Sequence, residues 1–291
     1  MLENVSCCIC ASKASTVINT CRILKEDADI PEQYLDLVKC SSCGLVYVNP
    51  RPVKLEELYS KEYFDAAYMK FYGDKDAGST QSNEPFDFRL SLIEKYRKSG
   101  KFLDVGCATG EFLLKARERG FETMGVEISG YAADIGVKKY GLNIIKGILP
   151  DANLPPSSFE VITAGDILEH TPDPKAFLFE IRRLLKDDGI LYLAVPNFAS
   201  AHYMTMSQVG KLNNRNYFIL PQHLYQFTPA TLKRLLRDSG LDVVETVFTE
   251  SRYREKGFKH LLMGLIFLAG RIFNLKDRMI IIAKKHNGEQ P

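Results

Sequence analysis

Apolar residues fall in two rhythms along this chain. Short continuous apolar runs alternate with longer stretches whose apolar positions recur at helical spacing. Lys101-Phe102-Leu103-Asp104-Val105 reads as a buried strand, and Gly106-Cys107-Ala108-Thr109-Gly110 as a tight turn after it. Glu111 to Glu118 has helical composition, with Phe112, Leu113 and Ala116 apolar and Gly120 placed to end it. Phe86 and Arg89 begin a helix that precedes this unit. Thr123 to Glu127 is a second strand, ending on an acid. Ser158 to Ala164 and Ile190 to Val195 read as further strands, with an amphipathic helix from Phe177 to Leu185 and a turn at Asp188-Gly189 between them. Leu241 to Phe248 and Met279 to Ala283 complete the set. Strands alternating with helices predict an α/β fold around a mainly parallel sheet.

The first fifty residues have a different pattern. Leu45-Val46-Tyr47-Val48 reads as a strand leaving a tight turn at Gly44. Two C-x-x-C pairs, Cys7/Cys10 and Cys40/Cys43, bracket this region. Four thiolates suit a tetrahedral zinc ion with no open position, so the expected role is structural. The gap between the pairs is longer than the common ribbon spacing and has room for a strand pair and a loop around Pro31. Four free thiols lying near one another is the alternative. A redox pair is disfavoured, because a redox C-x-x-C opens a helix within a βαβ unit. Cys8 and Cys21 carry no signal, and Cys107 reads as a small buried residue within the glycine turn.

Composition changes little. The 291 residues include 38 Lys and Arg against 36 Asp and Glu, which excludes attachment to nucleic acid by overall charge. With 45% hydrophobic residues the chain is not mainly disordered. Seven cysteines is an odd number, so they cannot all pair as disulfides. The first residues lack the basic and apolar regions of a secretory signal, so the expected location is cytoplasmic. The longest apolar stretch, Leu261 to Ala269, is shorter than the ~20 residues that span a bilayer. From Ser251 to Pro291 there are nine Lys and Arg against three Asp and Glu. A helix packed on the protein body is expected there. The alternative is a peripheral contact of 258–274 with a membrane or a lipid-linked substrate.

The strand, glycine turn, helix, strand and acid together form a nucleotide-binding unit. The turn lets a ligand approach the backbone, and the helix offers free N–H groups. Glu127 follows Asp104 by 23 residues, the offset at which an acid meets a ribose diol. The turn has no third glycine at the dinucleotide spacing. Asp104-Val105-Gly106-Cys107-Ala108-Thr109-Gly110 resembles motif I of the class I S-adenosylmethionine (SAM)-dependent methyltransferases, with Ala108 in place of the middle glycine. Gly165-Asp166-Ile167-Leu168-Glu169-His170-Thr171-Pro172-Asp173-Pro174 is similar to the family's "LEH-x-x-DP" segment, and the resemblance runs from about Phe86 to Lys285. The cysteine pairs and Asn49-Pro50-Arg51-Pro52 resemble the zinc-binding module of bacterial sugar and natural-product methyltransferases.

That resemblance implies a Rossmann-like seven-stranded sheet in the order 3-2-1-4-5-7-6, with strand 7 antiparallel. It implies a zinc module over residues 1–52, a linker with lid helices over 53–85, and a SAM-dependent domain over 86–291 with insertions at 197–228 and 249–277. Asp104, Gly106, Cys107, Ala108 and Gly110 would line the cofactor, Glu127 would take the ribose, and Ile128 and Ile148 would lie against the adenine. Asp166 would meet the methionine amine or the acceptor. The 197–228 insertion is rich in His and aromatic residues, as a substrate-covering loop would be. Within it, Pro221 to Pro229 resembles the family's "H-L-x-x-F-[ST]" element, with Thr228-Pro229 as helix cap and first residue. The matching histidine serves some relatives as base, so His223 is the first catalytic candidate, with His170 and Tyr225 beside it. Tyr59, Tyr63, Phe64, Tyr68 and Tyr72 would be divided between core and cofactor cover.

The expected activity is methyl transfer to a small molecule: a sugar, a natural product or a lipid-linked glycan. One alternative is an RNA methyltransferase that grips RNA through the zinc module. Against it, Met1 to Arg51 is not basic, holding five Lys and Arg and six Asp and Glu. The other alternative is a SAM-binding protein without turnover. The acceptor, the atom methylated and the oligomeric state are not set by the sequence.

Overall fold

A computed structural model of the chain describes residues 2–23, 33–53, 85–205, 222–250, 268, 270 and 275–286. In chain order its strands and helices are β1 (Leu2–Glu3), β2 (Ser15–Ile23), β3 (Gln33–Cys40), β4 (Val46–Val48), β5 (Arg51–Pro52), α1 (Phe86–Glu94), β6 (Gly100–Val105), α2 (Glu111–Glu118), β7 (Phe121–Glu127), α3 (Gly130–Tyr140), β8 (Ile144–Lys146), β9 (Phe159–Gly165), α4 (Pro174–Leu184), β10 (Leu185–Pro196), β11 (Tyr225–Gln226), α5 (Pro229–Asp238), β12 (Leu241–Thr249) and β13 (Arg278–Lys285).

Seven strands form the main sheet, in the order β8-β7-β6-β9-β10-β13-β12. The first five run parallel; β13 is antiparallel to both β10 and β12. This is the 3-2-1-4-5-7-6 order with a reversed seventh strand that the sequence predicts. The central strands are covered on both faces, which explains why they read as unbroken apolar runs. Ile190 to Val195 and Met279 to Ala283 are all fully buried.

Local chemistry sets the helix ends. Ser129 caps α3 by accepting from the Ala132 N–H, and Gly141 ends it at φ +60°. Asp173 accepts from the Lys175 and Ala176 N–H groups, so α4 begins at Pro174 rather than at Phe177. Thr228 and Thr231 cap each other at the start of α5, with Pro229 first in the helix, as expected. β10 begins at Leu185, because that residue pairs with Phe159 before the register shifts at the Asp188-Gly189 turn.

A four-stranded sheet, β11-β4-β3-β2, carries the front of the chain, and β1 pairs with β5. The strand pair expected between the cysteine pairs is the β2–β3 hairpin. Tyr225 and Gln226 of β11 pair with Tyr47 and Val46, so a segment far along the chain completes this sheet. One core cluster accordingly contains Cys7, Ile9 and Tyr47 together with Leu103, Leu193 and Tyr225.

Several predicted features fall outside the described residues: the 59–72 aromatics, 206–221 of the covering loop, and all of 258–274 except Leu268 and Gly270. Among the described residues, no helix is long and apolar enough to cross a membrane.

Candidate functional site

The expected site gathers at the C-terminal ends of β6, β7 and β9, where open α/β sheets bind ligands. After β6 the chain turns through left-handed backbone at Gly106 (φ +73°), Ala108 (φ +49°) and Gly110 (φ +81°). A side chain on Gly106 would collide with Ile167, and one on Gly110 with Leu142. Ala108 adopts the left-handed region that its family counterpart reaches as glycine, at a modest steric cost.

Glu127 ties this turn to the next one. Its two carboxylate oxygens accept from the Ala108 and Ser129 N–H groups, each at 2.8 Å. It is 3% exposed, and burial raises its pKa against those backbone hydrogen bonds. Ile128 and Ile148 follow β7 and β8 and leave apolar side chains in solvent, 40% and 47% exposed. Asp104 accepts from Thr163 Oγ1 at 2.6 Å. Burial pushes its carboxyl up to about 7, against the Thr163 hydrogen bond and the Arg89 charge. Cys107 is buried, which raises its thiol well above the ordinary range and suits the inert role expected of it.

Asp166 stands at φ +59° just past β9, and both of its oxygens are held by Arg278, at 2.7 and 3.0 Å. Burial alone would raise its pKa, but the Arg278 charge and hydrogen bonds bring it below the ordinary value. The residue expected at the cofactor or acceptor is thus fixed by an arginine 112 positions away. Arg278 itself is 6% exposed, and its sign in the sequence is a charge at the head of the apolar run Met279 to Ala283. Arg89, also 6% exposed, reaches from α1 over the Phe112 ring and acts on both Asp104 and Asp166. Sequence reading gave neither arginine a role.

His170 and His223 come together, their rings edge to face with centroids 4.6 Å apart. His170 Nδ1 lies 2.9 Å from the Gln222 carbonyl oxygen. Burial lowers the pKa of both imidazoles, that of His223 to about 3. Both are therefore neutral at pH 7. Tyr225, the third catalytic candidate, is placed apart from them. Its hydroxyl donates to the Pro172 carbonyl at 3.1 Å and accepts from Arg51 Nη1 at 3.0 Å. Its ring stacks between Tyr47 and Phe227, so its visible contacts join the front module to the main domain.

The four expected cysteines converge, with every pair of Sγ atoms within 4.8 Å. Cys7 and Cys43 are 3.4 Å apart, and Cys10 and Cys40 are 3.5 Å apart. Zn–S bonds of about 2.3 Å would set tetrahedral edges of about 3.8 Å, so the donor set fits the ion. Burial works against ionisation of Cys40, but the Cys43 and Ser42 N–H groups outweigh it and bring the thiol to about 6.

A family model described as "Methyltransferase domain" matches residues 78–246. A ubiquinone biosynthesis O-methyltransferase of Neisseria meningitidis serogroup C is 26% identical over 172 residues, covering 54% of this chain and 71% of that protein. A SAM-dependent methyltransferase from Archaeoglobus fulgidus superposes with a TM-score of 0.54 at 23% identity, over 77% of this chain and all of that one. Haemonchus contortus phosphoethanolamine N-methyltransferase 2, solved with S-adenosyl-L-methionine, gives 0.56 at 15% identity, over 82% of this chain and 62% of that one. At such identities the structural likenesses speak for the fold.

Proposed function

Because the chain belongs to the methyltransferase-domain family and is a class I SAM-dependent methyltransferase, we propose that it methylates a small-molecule acceptor held against the His170/His223 pair. The observation that carries this reading is the pair of neutral, buried imidazoles in the turn that follows β9, on the same sheet edge as the glycine turn. The O-methyltransferase relatives favour an oxygen acceptor, such as a phenolic or sugar hydroxyl.

The residues fit SAM. A buried carboxylate, Glu127, stands between two exposed isoleucines at adjoining strand ends, which suits a ribose with an apolar-walled adenine beside it. In this reading Glu127 takes the ribose hydroxyls, and Ile128 and Ile148 cover the adenine. Gly106, Cys107, Ala108 and Gly110 bring backbone close to the methionine end, and Asp104 and Arg89 meet its ammonium and carboxylate. Bound SAM supplies a methyl group on a sulfonium, already a good leaving group. The protein's part is to hold the acceptor oxygen in line and take up its proton. Neutral imidazoles can accept that proton. Asp166 acts through Arg278, which it fixes at the end of β13. Cys7, Cys10, Cys40 and Cys43 hold a structural zinc, and through β4 this module carries the segment that bears His223. Tyr225 is a positioning residue in that arrangement.

Titration calorimetry with SAM tests the cofactor assignment. Wild type binds, and Glu127→Ala loses roughly tenfold or more, as expected for a buried charged hydrogen-bonding partner. Equal affinities would remove the assignment. Formation of S-adenosylhomocysteine across a panel of phenols and sugar nucleotides tests the acceptor class. His223→Ala should abolish turnover on whichever acceptor responds, with SAM affinity kept.

A further inference from the structure

We propose that Glu169, His170 and His223 form a second metal site, separate from the cysteines, that takes a divalent first-row transition cation. One ligand atom from each lies within 4.8 Å of the other two. Metal–ligand bonds near 2.1 Å require donors about 3 Å apart, so side-chain rotation closes the set. Two imidazoles and one carboxylate with open positions are a donor set for such ions.

The independent observation is Glu169 itself. It is 1% exposed, and among the described residues neither of its carboxylate oxygens has a hydrogen-bond partner. A buried carboxylate in that state needs a cation or a proton. The nearby Arg278 does not meet the need, since its guanidinium is engaged by both oxygens of Asp166. A proton alone would leave a buried O–H that itself needs an acceptor, and His170 Nε2 stands 3.9 Å away, beyond hydrogen-bond range.

The imidazoles are prepared as ligands. His170 Nδ1 is within hydrogen-bond distance of the Gln222 carbonyl, which can only accept, so Nδ1 carries the proton. That leaves the Nε2 lone pair on the side of Glu169. Metal-binding histidines are oriented in this way by a backbone carbonyl on the second nitrogen. The backbone is fixed too: the Leu224 N–H donates to the Glu169 carbonyl, and the Val48 N–H donates to the Leu224 carbonyl. Both ligand segments are thereby pinned to each other and to β4. Burial keeps both rings neutral, the form that binds metal.

The role follows from the methyl-transfer reading and rests on it. Ile167, next to this group, packs on Gly106 of the glycine turn, so the open positions adjoin the cofactor edge. An acceptor hydroxyl on the cation loses its proton to water, because the cation lowers its pKa. The oxygen then bonds to the methyl carbon as the C–S bond breaks, and that electron pair stays on sulfur.

Protein loaded with zinc at the cysteines is titrated with Co2+ by calorimetry and visible absorption, with SAM titrated separately. The expected result is about one Co2+ per chain with weak d–d bands and no thiolate charge transfer. Glu169→Gln and His223→Gln should each weaken uptake roughly tenfold or more, with melting temperature and SAM affinity kept. His170→Asn serves as a third variant should either of these melt early. Absence of cobalt uptake by wild type, or uptake unchanged in the variants, overturns the site. Cobalt uptake without SAM binding would sink the methyl-transfer reading and leave the metal site standing; SAM binding without cobalt uptake would do the reverse.

Discussion

Asp104 carries a cost that its position explains. It is buried at the end of β6, and its pKa is raised to about 7 from an ordinary value near 3.9. The folded protein therefore holds this proton more tightly than the unfolded chain. The corresponding stability is complete below about pH 4 and is lost as pH rises through about 7. Asp104→Asn should flatten the fall in unfolding free energy between pH 4 and 7, by up to about 1.4 kcal/mol per pH unit. Urea melts at four pH values measure that slope; parallel curves for the two proteins would contradict the assignment. At this scale, residues whose meaning depends on close spacing were legible in the sequence. The glycine turn, Glu127 and the cysteine pairs all stand where expected. Residues whose meaning depends on distant partners were not. Nothing local marks Glu169 as an uncompensated buried acid, and Arg278 finds Asp166 across 112 positions. Tyr225 sits in a motif that points to catalysis, yet its hydroxyl is engaged by Arg51 and Pro172, and neither contact has a sequence signal.

Among the elements, β11 matters out of proportion to its length. Its two residues pair with β4, three residues past Cys43, and its approach carries His223. A metal at the cysteines would therefore hold the acceptor side as well as the front module. Elemental analysis should find about one zinc per chain. Stripping it with a chelator, or Cys43→Ser, should speed amide hydrogen exchange across 222–228 while leaving β6 to β9 protected. Unchanged exchange in 222–228 would separate the two sites. The long strands were readable because four to seven apolar residues define a rhythm, and motif resemblance supplied their order. Two residues define no rhythm, so β11 was invisible until its partner was known. The β10 start at Leu185 was hidden for a related reason: polar Asp187, Asp188 and Gly189 interrupt the run.

For the molecule as a whole, the near balance of 38 basic and 36 acidic residues gave no direction, and the fold now gives one. Cofactor, acceptor and module residues all lie along one edge of the main sheet and the small sheet beside it. The family match begins at residue 78, which would suggest a domain that can be cut free there. A protein starting at residue 78 should keep SAM affinity within a few-fold by calorimetry but show no methyl transfer. Retained turnover would show that the module is dispensable. The shared sheet makes this more than a matter of missing residues. Without β4, the Leu224 carbonyl and the strand pairing of Tyr225 and Gln226 would lose their partners, and the apolar faces of Leu224 and Phe227 would lose part of their cover. Evolution can thus exchange the front module between enzymes only together with the loop that meets the acceptor, so the two should be inherited as one cassette although some 170 residues separate them in the chain.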